Sequence, residues 1–169
     1  MAELMDVVND NDENTGIATQ EEIYAKKLTH RIVHVFVLHP ETKAVYFQKR
    51  AETKSFSPGY YCTSAGGHVK AGESYAQAAA RELHEEIGLD VPLKKVHSLV
   101  FVSDGHKRLI QLFVAYAADG FDFKDGEVAS GEFIPFDKAY ELVKKGTKIH
   151  PQLDVCYRWL YEHKNSLPG

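Results

Sequence analysis

The stretch Gly66–Asp90, GGHVKAGESYAQAAARELHEEIGLD, constrains the fold more than any other part of the chain. Ser74 and Gln77 have the spacing of a capping box, so a helix is expected to begin there. Gly88 suits a C-terminal cap, so the same helix is expected to stop at it. Between them Ala76, Ala79, Ala80, Leu83 and Ile87 recur at helical spacing and predict a packed face of small residues. At about 100° per residue, Glu82, Glu85 and Glu86 fall together on a different side. Most such charge runs are solvated faces. Yet carboxylates at i, i+3 and i+4 repel by ~0.2–0.5 kcal/mol per pair. A divalent cation reverses that sign, and hard cations such as Mg²⁺ take oxygen ligands and keep phosphate oxygens in their shell.

Strand-like runs surround this helix. MDVV and TGIAT flank a polar turn, and QEEIYAKKL reads as a brief helix. RIVHVFVLH (31–39) is a β-branched strand, the turn PETKA follows, and AVYFQKR (44–50) pairs back. Two strands flank DGHK, EFIPF is a short strand, and DKAYELVKKG and PQLDVCYRWLYEHKN are amphipathic helices. The order predicts an α+β domain with more strands than helices. With 169 residues and no linker, the chain reads as one domain, 1–169. Residues 1–29 form an N-terminal hairpin and extension, and 30–169 the core.

A net charge of −4 argues against broad binding to nucleic acid or anionic membrane. Cys62 and Cys156 form no CxxC pair and no disulfide framework, which suits a reducing, cytoplasmic setting. The acidic start MAELMDVVNDNDEN has no signal-peptide pattern, and no stretch approaches the ~20 apolar residues of a membrane span.

The whole of Gly67–Leu89 resembles the Nudix box: Gly67, Glu73, Arg81, Glu82, Leu83, Glu85, Glu86, Gly88 and Leu89 fill every specified position at fixed gaps. The resemblance implies an α/β/α sandwich around a mixed sheet, and hydrolysis of a small diphosphate substrate, usually a nucleoside derivative. It implies Mg²⁺, with Mn²⁺ as substitute, held by Glu82, Glu85, Glu86 and the Gly66 carbonyl. Arg81 would orient the neighbouring carboxylates, and Glu73 would brace the loop against the helix. A further acid often arrives before the last strand, and KDGEVASGEF offers Glu127, with Glu132 as the runner-up. Either Glu82 or Glu127 could act as general base.

The segment HRIVHVFVLHPETKAVYFQKRAETKSFSPGYYCTSAGGHV also resembles isopentenyl-diphosphate isomerase and its hydrolase relatives. That likeness implies that Arg50 and Lys54 bind the diphosphate, as a planar fork and a point charge. His30 and His68 match two isomerase metal-ligand positions, but Ile23 stands where a third histidine is expected. The isomerase cysteine is replaced by Gly66, and no glutamate lies between Glu86 and Glu127, so hydrolysis is the expected chemistry. A Nudix fold that only binds nucleotides is the other alternative. Asp104, His106, Lys107 and Arg108 read as an exposed hairpin tip, and Tyr60 and Tyr61 as core or ring-stacking residues. Oligomeric state is open, a homodimer included.

Overall fold

The computed structural model describes residues 3–53, 58–123 and 128–169. β1 (Leu4–Val8) and β2 (Asn14–Thr19) form an N-terminal hairpin, and α1 (Gln20–Lys26) follows from a Thr19–Glu22 capping box. β3 (His30–Leu38), β4 (Val45–Arg50), β5 (Tyr61–Cys62), β6 (Ala65–His68), β7 (Lys94–Ser103), β8 (His106–Tyr116) and β9 (Val128–Ile134) make one mixed sheet. α2 (Tyr75–Ile87), α3 (Phe136–Lys145) and α4 (Pro151–Glu162) complete the domain.

The alternation of β3 creates two cores, because successive strand side chains point to opposite faces. Val33, Val35 and Val37 pack with Ala78, Ala79, Leu83 and Ile87 of α2. Ile32, Phe36 and Leu38 pack with Ala139 and Val143 of α3 and Leu153, Tyr157 and Leu160 of α4. Helices therefore cover both faces, as the α/β/α expectation requires. β3 runs parallel to β8 along its whole length.

On its other side β3 changes partner. Ile32–Val35 pair with β6, and only Val37 and Leu38 pair with β4. The sheet opens where β6 and β4 part. Ser64 staples the opening, accepting from the Val37 amide at 2.7 Å and donating to the Tyr46 carbonyl at 2.5 Å.

α2 begins and ends as expected, with Ser74 and Gln77 capping each other and Gly88 at φ 73°. Its packed face differs in detail. Ala76 and Ala80 are exposed, and Ala78 is buried in their place. Ala79, Leu83 and Glu86 fall at i, i+4 and i+7, so Glu86 lies on the packed stripe rather than with the exposed acids. β9 starts at Val128, earlier than EFIPF alone suggests, because it pairs with β4 back to Arg50. Among the described residues no helix is long and apolar enough to cross a membrane.

Candidate active site

The three glutamates have three environments. Glu85 is the outermost, its side chain 48% exposed. Glu82 is mostly covered, and Glu86 is 7% exposed. Glu86 fills the opening between β4 and β6. Its Oε2 accepts from the Gly66 amide at 2.9 Å and its Oε1 from Gln48 Nε2 at 2.7 Å. Gln48 is itself held by the Ser64 carbonyl at 3.2 Å. The Glu82 and Glu86 carboxyls lie within hydrogen-bonding reach of each other.

Burial raises the pKa of both groups. For Glu86, well above the usual carboxylate range, the neighbouring Glu82 charge adds to the effect. Two adjoining carboxyls with little water demand either a shared proton or a cation.

Arg81 organises the outer side of this pair. Nε and Nη2 form a fork on Glu73 at 2.8 and 2.9 Å, and Nη2 also donates to the His68 carbonyl at 3.0 Å. Nη1 donates to Glu82 at 2.8 Å and to Glu85 at 3.2 Å. All five guanidinium N–H groups thus have acceptors. The fork to Glu73 is the main reason Arg81 stays charged. Burial opposes ionisation of Glu73, but the bonds from Arg81 and the Lys70 amide hold it below its usual range.

The glycines preceding α2 are dictated by proximity. A Cβ on Gly67 would collide with Glu82 Oε1, and one on Gly66 would sit 2.5 Å from His34 Nδ1. His34 is buried in a short relay. The Thr63 hydroxyl lies 2.7 Å from His34 Nδ1 and 3.1 Å from the Ala65 carbonyl. Burial lowers the His34 pKa to about 4, so the ring is neutral. Its Nε2–H donates to the Gln152 side-chain oxygen at 2.6 Å, so Nδ1 accepts from the Thr63 hydroxyl. Gly88 needs its left-handed backbone, and a Cβ there would also meet Asp122.

The structure gathers Gly66, Gly67, Glu73, Arg81, Glu82, Glu85 and Glu86 into one locus. Arg50 ends β4; burial lowers the pKa of His150 to about 3, and the charges of Arg50 and Arg108 add to the effect. Lys54 and Glu127 lie outside the described residues. Glu132 faces Tyr61, whose hydroxyl is 3.5 Å away. The hairpin tip differs from expectation. Asp104 is exposed, but His106 is buried and Lys107 pairs with Asp10 at 2.8 Å. Gln48, Ser64 and His34 were not singled out from sequence. The available signal was a polar residue within apolar strand runs.

The donor set suits a hard cation: oxygens only, with Glu82 and Glu86 already adjacent. Among the described residues no three His, Cys, Asp or Glu side chains are drawn close enough to hold a metal unaided, because Arg81 pins Glu85 outward.

A pattern for the NUDIX domain family matches residues 28–159. The chain is 39% identical to isopentenyl-diphosphate Δ-isomerase 2 of Photorhabdus laumondii, covering 99% of this chain and 93% of that one. It is 34% identical to the Nudix hydrolase YfcD of Salmonella typhi, covering 75% and 69%. The solved structure of DR0079 from Deinococcus radiodurans superposes with a TM-score of 0.81 at 21% identity, covering 94% and 99%. The Escherichia coli dihydroneopterin triphosphate pyrophosphohydrolase gives 0.62 at 18%, covering 79% and 95%.

Proposed function

Because the chain belongs to the NUDIX domain family, as a Nudix pyrophosphohydrolase, we propose that it cleaves the diphosphate linkage of a small nucleotide, a nucleoside di- or triphosphate or a close relative. The observation that carries this reading is the adjacent Glu82–Glu86 pair beside Gly66, neutralised on only one side by Arg81.

Glu82, Glu85, Glu86 and the Gly66 carbonyl would hold Mg²⁺, with Mn²⁺ as a substitute. When bound, the ion supplies charge neutralisation for the phosphoryl oxygens and a more acidic water. Glu86 is fixed by two donors and keeps its place through turnover. Arg81 Nη1 bonds both Glu82 and Glu85 and so positions the two carboxylates beside each other. Glu82, mostly covered and raised in pKa, is suited to take a proton from the attacking water, a role Glu127 shares as a candidate. Arg50 and Lys54 would bind the outer phosphate. The net charge of −4 supports a small-molecule substrate rather than nucleic acid.

Isomerisation of isopentenyl diphosphate is the second reading, favoured by the similarity to the Photorhabdus enzyme along nearly the full length. Proton transfer to carbon needs a titratable group near the reacting atom. Gly66 has none, and the His34 ring occupies the space where a side chain at 66 would begin.

The test is phosphate or pyrophosphate release from a panel of nucleoside di- and triphosphates, dinucleotides and capped RNA, with Mg²⁺ and with EDTA. The reading expects metal-dependent release from at least one small nucleotide. Full turnover in metal-free protein, or no turnover of any panel member, would sink it.

A further inference from the structure

Three consecutive residues link the carboxylate pair to a second polar cluster. The Gly66 amide holds Glu86, Gly67 abuts Glu82, and the His68 carbonyl accepts from Arg81. By strand alternation the His68 side chain leaves on the side opposite the Gly67 contact with Glu82. There its ring joins His30 at 5.4 Å, while His30 and His106 are 4.9 Å apart. Tyr24 of α1 lies 5.2–5.7 Å from all three rings, and its hydroxyl is 2.7 Å from His68 Nε2. The Arg108 guanidinium sits 5.7 Å over the Tyr24 ring.

The hydrogen bonds of this cluster do not close. His30 Nδ1 and His106 Nε2 both donate to the Leu28 carbonyl, at 3.0 and 2.8 Å. His30 Nε2 is therefore a bare acceptor. It is buried and has no partner among the described residues, and the same holds for the Arg108 Nε–H donor. Buried polar groups in folded proteins are nearly always paired. The residues that carry them, His30 and Arg108, are register partners on the parallel strands β3 and β8. An acceptor beside a donor matches a ligand edge that carries an N–H next to a lone pair. A nucleobase has such an edge, and an isoprenoid chain does not. Tyr24, 40% exposed, already lays a planar aromatic ring against the cluster. A metal cation is a poorer fit, because the Arg108 guanidinium lies beside the cluster and no three His, Cys, Asp or Glu side chains among the described residues are gathered closely enough to hold one.

We propose that Tyr24, His30, His68 and Arg108 form the subsite for the base of a nucleoside diphosphate. The base displaces the Tyr24 ring, donates to His30 Nε2 and accepts from Arg108 Nε–H. This rests on the diphosphate lying against Gly66–His68, as the hydrolase reading has it.

The experiment compares the four common ribonucleoside diphosphates with methyl diphosphate, which has no base, in wild type, His30→Phe and Arg108→Lys. His30→Phe keeps a ring but removes the acceptor, and Arg108→Lys keeps the charge but removes Nε. Each variant is expected to lower the preference for a nucleoside diphosphate at least ~tenfold, through KM more than kcat, as when a buried recognition bond is lost. If His30→Phe does not fold, Arg108→Lys carries the test alone. In parallel, imidazole C–H signals are followed by NMR in wild type. Nucleoside monophosphates should shift those of His30 and His68, and inorganic phosphate should not. Shifted imidazoles in a protein that hydrolyses no diphosphate would keep the subsite and remove the hydrolase reading. Equal use of methyl diphosphate by wild type, or variants that keep the wild-type preference, would overturn the proposal. So would zinc or manganese retained by Glu86→Gln protein and lost from His30→Phe.

Discussion

Replacing Glu86 by Gln separates catalysis from folding, because the site places opposite demands on that side chain. The substitution removes one charge from the Glu82–Glu86 pair and keeps the size and helix propensity. It also disturbs two hydrogen bonds. Glu86 accepts from both the Gly66 amide and Gln48, and a glutamine has only one acceptor oxygen. Gln48 must turn over to accept instead, which sacrifices its 3.2 Å bond to the Ser64 carbonyl, at a cost of ~1 kcal/mol. Against this stands the burial of a second charge. A carboxyl whose folded pKa is raised binds its proton more tightly in the folded state. Its stabilising contribution is complete below the unfolded pKa and is lost as pH rises through the folded one, by ~1.4 kcal/mol for each pH unit that separates the two. Metal-free Glu86→Gln protein should therefore be ~1 kcal/mol less stable than wild type near pH 4, and as stable or more stable at pH 8. Mg²⁺ should reverse the order at pH 8. A ligand of the native state at 100-fold excess over its Kd adds ~2.7 kcal/mol, and the variant should gain less. Turnover should fall by ~10²–10⁴ with the loss of transition-state charge stabilisation. The assays are denaturant melts at the two pH values with and without Mg²⁺, and initial rates on the best panel substrate. Equal Mg²⁺ responses together with wild-type rates would refute the assignment of the carboxylate pair.

Gly66→Cys restores the isomerase residue in sequence but forces a Cβ against His34 and the Val33 carbonyl. It should lose ~1–3 kcal/mol by overpacking, with no label exchange into isopentenyl or dimethylallyl diphosphate; exchange by this variant would reopen the isomerase reading. Arg81→Lys offers three donors where five acceptors wait. It should lower both melting temperature and kcat, the latter at least ~tenfold, and an unchanged kcat would show that the guanidinium fork is dispensable. Burial holds His34 neutral with a pKa lowered to about 4, so its contribution should fade as pH drops from about 6.5 toward 4. A pH series of denaturation midpoints should show this slope in wild type and less of it in His34→Leu, and parallel curves would contradict it.

Much of the fold was legible because its signals are local. The Ser74–Gln77 box and Gly88 mark both ends of α2, since a cap is satisfied within four residues of itself. The helix register was less legible. Alanine is equally at home inside and outside, so Ala76 and Ala80 carried no information about which face was packed. The spacing of Glu82, Glu85 and Glu86 showed a cluster but not its depth. That depth depends on Gln48 and Ser64, which approach from strands distant in sequence. For the same reason His106 read as part of a hairpin tip. Its burial is created by Leu28 and Tyr24, from the N-terminal extension.

The parting of β4 from β6 joins these observations. A continuous sheet would offer Glu86 only apolar side chains, and an ionised carboxylate there would be strongly disfavoured. Because β3 changes partner after Val35, the edges of β4 and β6 stay partly unpaired and need polar company. Ser64 supplies some of it, and Glu86 supplies the rest by accepting from the Gly66 amide. The same carboxylate that satisfies the broken sheet is thereby held against Glu82, in a geometry that either a proton or a cation must relieve. Glu85, one turn from Glu82 on the outer side and tied among the described residues only to Arg81, has no such structural duty. The three acids of the motif thus divide the work: Glu86 belongs to the sheet as much as to the site, Glu82 bridges them, and Glu85 answers to Arg81 on the outer side.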